Sequence, residues 1–500
     1  MRDLQGGRPP LSLDERQREA QAGERGKGCE LLTPQGPPGP VLHIPALPPE
    51  SEPLSADELC RAFSALVDTA AEERCPPLGG IVLAVSGGPD SLALLLAADA
   101  FRKSGNGPEA RRIHVATVDH RLRPESGAEA AHVAALCRNF GLPHSTPVWR
   151  EPATQGNLPQ QARLARYRLL ADFARHCGAR LILTAHHEDD QFETHLMARR
   201  RGAGSIGLAG MRSLREMAPG LFLGRPFLPV AGDRLKATVA AHGLPAVDDP
   251  TNRDTHYERV RIRADLSAGR HDRPALRGEI ARHAAARDRI EARLAAAIDA
   301  FESDGRLAFP PDGAIVVDRA AVVGLDPDLA FLFVRRALFA VSGREHWPDA
   351  EGVRRILSKL ADPSVRVSAT LAGAGVAAAG SSTGGSVAFF RELGRLGISP
   401  EPIDASRETL CFDGRFEVDV RKWSGSGAVV ACFGSFGRGS LREQTVPVIA
   451  LEGGIVAAPE ALGGKRPPGA ERLDTVPLVH WRFRRDLPTR STAARAADAL

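Results

Sequence analysis

The six residues that follow the apolar run at 81–85 carry the clearest chemistry in this chain. Two adjacent glycines allow the backbone to approach an anion closely, and two serine hydroxyls stand beside them. A helix-forming run at 92–101 comes next, so the unpaired amides of its first turn would point at the same anion. The pattern predicts a strand, a loop for a di- or triphosphate and a helix, the loop being Ser86, Gly87, Gly88, Pro89, Asp90 and Ser91.

This loop differs from the GxxxxGK loop of other nucleotide-binding proteins, because it is too short and has no lysine after its glycines. It resembles the SGGxDS loop of the PP-loop ATP pyrophosphatases. The resemblance implies that ATP adenylates a carbonyl-type carbon, that pyrophosphate leaves, and that a nucleophile then displaces AMP. Asp90 is the predicted Mg²⁺ ligand and could also cap the helix. The alternative is a turn whose glycines serve packing alone.

A second chemical stretch, TAHHEDDQFET at 184–194, follows another apolar run. If a helix begins near Glu188, Asp190 and Glu193 are spaced i, i+3 and project from the same face. Two neighbouring carboxylates make a pocket for a cation, either Mg²⁺ or an ammonium group. An acidic first turn that complements the helix dipole is the alternative. Zinc is disfavoured, because His186 and His187 have no further Cys or His at ligand spacing.

Three arginines and a glycine-rich segment lie just downstream. The segment at 202–211 contains a formal GxGxxG, but it follows a predicted helix, whereas the dinucleotide fingerprint must follow a strand. We interpret it as a loop near the substrate. Its flanking arginines could contact phosphate or RNA, or could form a solvated basic helix end. They are Arg199, Arg200 and Arg201.

The elements around these stretches predict an α/β fold with a doubly wound parallel sheet. Apolar strands at 81–85, 113–118, 144–148 and 181–184 alternate with helices. Ligands of such sheets bind outside the carboxyl ends of the strands. Three ends carry suitable residues: 86–91, 119–123 and 185–193.

Length and composition predict several domains in one chain without a membrane span. A chain of 500 residues is longer than one hydrophobic core usually organises, and a hydrophobic content of 43% is typical of a globular protein. The net charge of +4 permits a nucleic-acid partner without proving one. Seven scattered cysteines without a CxxC pair favour a reducing, cytoplasmic location. We expect a disordered extension at 1–53, a catalytic domain at 54–268, a helical, RNA-facing connector at 269–362, and a small α+β or β-rich domain at 363–500 with a loose end.

Seven motifs then narrow the resemblance. SGGPDS, VDHRLR, NLPQQARLARY, TAHHEDDQFET, RRGAGSIGLAGM, RPFLPV and DDPTNRDTHYERVRIR occur in an order that resembles the tRNA(Ile)-lysidine synthase family, over roughly residues 54–268. The resemblance implies a ligase that uses ATP to activate the wobble cytidine of an isoleucine tRNA with a CAU anticodon. Free L-lysine then attacks through its ε-amine to give lysidine. A homodimer is compatible with the family.

The resemblance also assigns residues. Besides the loop, Ala84, Val118 and His120 would contact ATP. Asp190 and Glu193 would bind the lysine ammonium, and one of them would take its proton. Arg166 and Asp90 would both be catalytic. Residues expected to contact the substrate or the tRNA are Arg163, His187, Arg199, Arg200, Arg201, Arg259 and Arg263.

The motif at 248–263 brings one ambiguity and one departure. Arg259, Arg261 and Arg263 alternate at i, i+2 and cannot share one helical face, so at least one should be structural. Arg261 is assigned as catalytic. Val260 replaces the usual asparagine of the family, and Arg121 replaces the usual glycine after Asp-His.

Two other functions remain open at this point. A PP-loop tRNA thiolase would adenylate a base in the same way, but it would need cysteines to carry sulfur. A non-catalytic nucleotide-binding or RNA-binding module would keep the loop, yet have little need for Asp190 and Glu193.

Overall fold

The computed structural model describes residues 42–45, 51–73, 79–105, 112–150, 158–248, 254–379, 385–405 and 407–487. Residues 1–41 and 46–50 of the predicted extension, residues 249–253 of the motif at 248–263 and the predicted loose end at 488–500 lie outside these ranges.

A six-stranded sheet forms the catalytic domain, as predicted. Its strand order is β4-β3-β2-β5-β7-β6, and all neighbouring strands are parallel except the β6–β7 pair. β2 is buried along its whole length, which explains its unbroken apolar sequence. The strands are β2 (Ile81–Ala84), β3 (Ile113–Ala116), β4 (His144–Ser145), β5 (Leu181–Leu183), β6 (Leu214–Ala218) and β7 (Leu221–Gly224).

Helices cover both faces of this sheet. One face packs on α1, α2, α3 and α7, and the other packs on α4, so two apolar clusters lie on opposite sides of the strands. This arrangement confirms the doubly wound prediction. The helices are α1 (Ala56–Glu73), α2 (Pro89–Lys103), α3 (Ser126–Asn139), α4 (Leu158–His176), α5 (Glu188–Arg200), α6 (Ser205–Leu208) and α7 (Gly232–Ala241).

A short strand in the N-terminal extension corrects one prediction. β1 (Leu42–His43) pairs antiparallel with β8 (Ala246–Val247), although residues 1–53 were expected to be disordered. Composition cannot reveal such a strand, because its hydrogen bonds go to a partner about 200 residues away. β8 in turn braces the phosphate loop, since Val247 N donates to Gly87 O at 2.9 Å.

Two further helices connect the catalytic domain to the rest of the chain. α8 (Glu258–Ser267) and the 31-residue α9 (Arg273–Ser303) pack with α5 through one small apolar cluster. α9 lies within the stretch at 269–362 that was expected to be helical. Its carboxyl half belongs to a second, larger core.

That second core crosses the predicted boundary at residue 362. β10 (Ile315–Asp318) pairs with β13 (Ser386–Arg391) in the antiparallel sheet β11-β12-β13-β10-β9, so the expected connector and the first part of the C-terminal region form one unit. The boundary was wrong because pairing between distant strands leaves no local signal. The other elements are β9 (Leu307–Ala308), α10 (Arg319–Val323), α11 (Pro327–Ser342), α12 (Ala350–Ala361), β11 (Val367–Leu371) and β12 (Ala374–Ala378).

The remaining C-terminal region is rich in strands, as expected. It contains a five-stranded sheet, β14-β17-β18-β19-β20, and a three-stranded sheet, β15-β16-β21. Its elements are β14 (Glu401–Pro402), β15 (Thr409–Phe412), β16 (Phe416–Asp419), β17 (Val429–Cys432), β18 (Pro447–Leu451), β19 (Gly454–Pro459), β20 (Glu471–Leu473), β21 (Thr475–Pro477) and α13 (Val479–Arg484). No helix in the described residues is long and apolar enough to cross a membrane.

Candidate active site

The phosphate loop joins β2 to α2 and is held by its own hydrogen bonds. Gly87 has a φ of +90°, which favours glycine, and a Cβ there would lie 2.8 Å from the Val247 side chain. The Ser91 hydroxyl accepts from Ser86 N at 3.1 Å and donates to Gly88 O at 2.8 Å. Ser91, predicted to contact phosphate, therefore also braces the loop.

Asp90 stands in the first turn of α2 without capping it. The N-cap residue of α2 is Gly88, with no side-chain hydrogen bond, so the predicted capping role was wrong. Asp90 Oδ1 is buried and has no hydrogen-bond partner among the described residues. An orphaned carboxylate oxygen beside a phosphate loop fits Mg²⁺, which proteins bind through one or two carboxylates plus substrate phosphates. No larger cluster of metal-ligating side chains occurs in the described part of the chain.

His187 links this loop to the carboxylates of α5. Its Nε2 lies 3.5 Å from Asp90 Oδ2 and 3.7 Å from Asp190 Oδ2, and its Nδ1 lies 3.4 Å from Asp189 Oδ2. Burial acts to lower the pKa of His187, but hydrogen bonds with Asp189 and Asp90 and the nearby charges outweigh burial and raise it to about 10. The imidazolium therefore joins the ATP end of the site to the predicted lysine end.

Asp190 and Glu193 lie together, as their spacing predicts, and arginines of α8 neutralise them. Arg259 Nη2 donates to Asp190 Oδ1 at 2.6 Å, and Arg259 Nε donates to Glu193. Arg263 Nε donates to Glu193 Oε1 at 2.8 Å. Burial alone would raise the pKa of Asp190, but the charges of His187 and Arg259 hold it below its usual value.

α8 reaches these carboxylates through apolar packing. Its Ile262 and Leu266 are buried against Phe192 and Leu196 of α5. This contact brings the guanidinium groups of Arg259 and Arg263 to the carboxylates of Asp190 and Glu193.

Arg261 points elsewhere, which corrects the catalytic assignment. Its Nη1 donates to the carbonyls of Thr255 at 2.7 Å and His256 at 2.8 Å. As the i, i+2 spacing requires, Arg261 does not share the face of Arg259 and Arg263, and a structural role for Arg261 stays a prediction. Arg261 supports the turn that precedes α8.

The carboxyl end of β3 provides the surroundings expected for adenosine. Ala84 is buried at the end of β2, and Val118 packs in the same apolar cluster. His120 Nδ1 has no hydrogen-bond partner in the described structure. Burial, together with the charge of Arg166, lowers the pKa of His120, so the ring is neutral at pH 7. A neutral ring can contact an uncharged group.

Two arginines of α4, Arg163 and Arg166, have no carboxylate partner among the described residues. Within the described ranges, Arg166 makes no hydrogen bond or ion pair, and burial lowers its pKa. The Arg163 guanidinium lies 5.2 Å from the centre of the Tyr167 ring. Cations that are free in this way are available to an anionic substrate.

Arg225, directly after β7, is a residue that the sequence reasoning missed. It is 4% exposed, donates from Nη1 to Arg212 O at 2.7 Å, and has a pKa lowered to about 10 by burial. Its charge acts on His186, whose pKa burial lowers to about 3. The signal was available, since RPFLPV begins at the end of a parallel strand.

Three consecutive arginines lie at the C-terminal end of α5, and each is close to a carboxylate of the chain. They are Arg199, Arg200 and the C-cap residue Arg201. Arg199 lies 3.5 Å from Glu279, while Arg201 lies 3.2 Å from Glu258, which Arg200 also approaches. They are exposed, so such pairs are weak and do not prevent contact with RNA. The glycine-rich segment after them leads into α6 and follows no strand, as predicted.

Comparison with known proteins decides the family. Residues 61–268 match the model of a PP-loop domain. A tRNA(Ile)-lysidine synthase of Methylobacterium sp. (strain 4-46) is 42% identical over 301 residues, covering 60% of this chain and 83% of that protein. Another, from Methylobacterium nodulans, is 38% identical, covering 70% of this chain and 97% of that protein. The chain belongs to the tRNA(Ile)-lysidine synthase family.

A further curated relative agrees with this membership. The tRNA(Ile)-lysidine synthase of Bradyrhizobium diazoefficiens is 44% identical over 254 residues, or 51% of this chain and 64% of that protein. Among solved structures, a U34-tRNA thiolase from Methanococcus maripaludis aligns with a TM-score of 0.36 at 13% identity, over 46% of this chain and 78% of that one. This last likeness is too low to bear on activity.

The backbone at Arg121 bears on one departure noted in the sequence. Arg121, where the resemblance implied a glycine, has a φ of +52°. Glycine adopts this left-handed backbone freely, whereas other residues adopt it at a cost. The same turn is therefore built here with a strained residue.

Proposed function

We propose that this chain is an ATP-dependent ligase that converts the wobble cytidine of a CAU-anticodon isoleucine tRNA to lysidine. It uses free L-lysine and Mg²⁺ and releases AMP and pyrophosphate. The observation that carries the proposal is the joining of the loop and the carboxylate pair by His187, 3.5 Å from Asp90 and 3.7 Å from Asp190. β2 and β5, which end at these groups, are adjacent parallel strands.

In the first step the cytidine carbonyl oxygen attacks the α-phosphorus of ATP, and pyrophosphate leaves. The loop amides and the N-terminus of α2 hold the phosphates in line. Asp90 would hold Mg²⁺, which would supply positive charge for the leaving pyrophosphate. Arg163 and Arg166, which have no carboxylate partner among the described residues, are suited to the charge that develops on the adenylate.

In the second step the lysine ε-amine attacks the activated carbon, AMP leaves and the amine loses a proton. A free lysine is mostly ammonium at neutral pH, so the site must first bind that cation and then deprotonate it. Asp190 and Glu193 already bind a guanidinium, that of Arg259. We infer that the substrate ammonium takes the place of Arg259 there.

The structure favours this reaction over thiolation. Five cysteines in the described part of the chain are free: Cys60, Cys137, Cys177, Cys411 and Cys432. Burial raises the pKa of Cys137 to about 12, which makes it a poor sulfur nucleophile. None of these five follows a strand end of the active-site sheet.

One assay tests the proposal. Purified protein is incubated with ATP, Mg²⁺, labelled lysine and the CAU-anticodon isoleucine transcript, and label in RNA is counted. We expect incorporation by the native chain and none by Asp90→Asn. Transcript with uridine at the wobble position should stay unlabelled. The proposal fails if the folded, ATP-binding native protein incorporates no label, or if it labels the uridine transcript equally.

A non-catalytic binding module predicts a different result. Glu193→Gln would then leave ATP and tRNA binding intact with no activity to lose. Under our proposal the same variant retains ATP-dependent pyrophosphate release with tRNA, but fails to attach lysine. The predicted homodimer and cytoplasmic location are part of the proposal and need separate measurement, the former by light scattering.

A further inference from the structure

The glycine-rich segment at 202–211 has no part in the reaction proposed above, but its last residue is fastened to α5. Met211 exchanges two hydrogen bonds with the side chain of Gln191. Met211 N donates to Gln191 Oε1 at 2.6 Å, and Gln191 Nε2 donates to Met211 O at 2.9 Å. The end of this segment is therefore attached to the helix that carries the two carboxylates of the site.

Gln191 lies between Asp190 and Glu193 in the sequence but on another side of the helix. Successive residues of a helix are turned by about 100°, so Gln191 cannot share the face of its two acidic neighbours. Both ends of its amide are engaged by Met211. The backbone of the segment also passes close to this amide, since a Cβ at Gly210, whose φ is +66°, would lie 2.5 Å from Gln191 Oε1. Gln191 therefore contacts the segment and not the carboxylate face.

The next residue of the chain, Arg212, is held by two groups. Its guanidinium pairs with Glu291 of α9 at 2.5 Å, and its carbonyl accepts a hydrogen bond from Arg225 Nη1 at 2.7 Å. Glu291 is 4% exposed, so the carboxylate of this ion pair is removed from water. Losing one partner of a buried pair costs much more than losing one partner of an exposed pair, because the other charge stays desolvated. Arg212 is thus firmly attached to α9.

The second core fixes the position of Glu291. Leu294 and Ala295, one turn further along α9, are buried in that core. Arg336 of α11, which donates from Nε to Phe483 O at 2.8 Å, directs its charge at Glu291. The residues beyond the catalytic domain therefore determine where this carboxylate lies.

α9 also contacts α5 directly, but through more exposed side chains. The members of these contacts on α9 are 34% to 60% exposed, compared with 4% for Glu291. Exposed pairs contribute little, since water competes for both partners. The contacts are Arg273 with Asp189, Arg277 with Glu188, and Glu279 with His195. The connection from Glu291 through Arg212 to Gln191 is therefore the more strongly buried one.

We infer that Gln191 and Glu291 are positioning residues for the lysine site. Through Arg212 they hold α5 at the place where Asp190 and Glu193 can accept the substrate ammonium, and neither of them touches that substrate. The inference rests on the proposed function for the identity of the substrate.

Kinetics of the full chain with the CAU-anticodon isoleucine transcript test this role. Gln191→Met keeps the length of the side chain and removes both hydrogen bonds to Met211, and Glu291→Gln removes the charge that pairs with Arg212. Each change should raise the KM for lysine roughly 3- to 10-fold, the effect of losing one hydrogen bond of ordinary strength. The KM for ATP and the burst of tRNA-dependent pyrophosphate release without lysine should stay native.

A double variant and a control show whether the two residues act through one connection. Gln191→Met combined with Glu291→Gln should raise the KM for lysine no more than the larger single change, whereas independent effects would multiply. Arg293→Gln is the control on the same helix, because Arg293 lies two positions after Glu291 and pairs with Asp326, 3.6 Å away and outside the catalytic domain. It should keep the native KM for lysine.

A merely structural role predicts another pattern, in which pyrophosphate release and lysine transfer fall together as folded protein is lost. The inference is overturned by that pattern, by variants that keep the native KM for lysine, by effects that multiply in the double variant, or by an equal rise in Arg293→Gln. If the native chain itself attaches no lysine, the proposed function fails and this inference fails with it. Native activity with unchanged variants overturns the inference alone.

Discussion

Replacing Glu193 with glutamine should weaken the attachment of α8 to α5. Glu193 is fully buried and accepts hydrogen bonds from both Arg259 and Arg263, whereas these arginines are 37% and 43% exposed. A glutamine carbonyl still accepts one of these bonds, but its amide group then faces a donor. Hydrogen bonds to charged groups contribute about 1.5–3 kcal/mol each.

The free-energy cost of the substitution depends on how well the guanidinium groups of Arg259 and Arg263 can be hydrated once the carboxylate is lost. Breaking a fully buried ion pair costs roughly 3–5 kcal/mol, but partly exposed guanidiniums can rehydrate. We therefore expect the opening free energy of α8 to fall by about 2–3 kcal/mol, which speeds its amide exchange roughly 30- to 150-fold.

Hydrogen exchange at the amides of Ile262 and Leu266 measures this change directly. Amides of α2 serve as an internal control. Glu188→Gln is the matched variant, because Glu188 lies more than one turn earlier in the same helix, α5, and pairs with Arg277 of α9. If Glu193→Gln leaves α8 exchange at the native rate, or if Glu188→Gln speeds it equally, the carboxylate does not hold α8 and the reasoning is refuted.

Three further outcomes follow from the geometry. Gly87→Ala should raise the KM for ATP, because its Cβ would meet Val247 at 2.8 Å and its φ is +90°; a native KM would contradict this. The raised pKa of His187 means that its stabilisation is complete below about pH 6.5 and is lost as pH rises towards 10. The free energy of unfolding of His187→Gln should not show this fall between about pH 6.5 and 10. A pH profile identical to that of the native chain would show that another group titrates. Arg261→Ala should lower the melting temperature while the kcat for lysine transfer stays near native, since its guanidinium bonds only to the carbonyls of Thr255 and His256 among described residues; a large fall in kcat would restore its catalytic assignment.

Much of the site could be predicted from the sequence because its signals are local. The phosphate loop is six consecutive residues that lead from a strand into the first turn of a helix. Asp190 and Glu193 share a face by their spacing alone. Parallel strand order then brings the two groups together, as the pairing of β2 with β5 shows.

What the sequence could not show depends on contacts between distant residues. That Arg259 neutralises the carboxylates follows from the packing of Ile262 on Phe192, about 70 positions away. The pairing of β10 with β13, which overturned the boundary at 362, spans a similar distance. Arg225 differs from these cases, because its place directly after a strand of the parallel sheet is a local signal that could have indicated it.

The pairing of Leu42–His43 with Ala246–Val247 connects a segment before the first family motif to the phosphate loop. Because the second of these strands supports Gly87, the leading segment is mechanically part of the ATP site. A shortened version starting at residue 51 would retain every sequence motif of the family, yet its nucleotide loop would lack one of its supports. Protein engineered for crystallisation or screening should therefore keep the leader, and its removal should appear as weaker ATP binding.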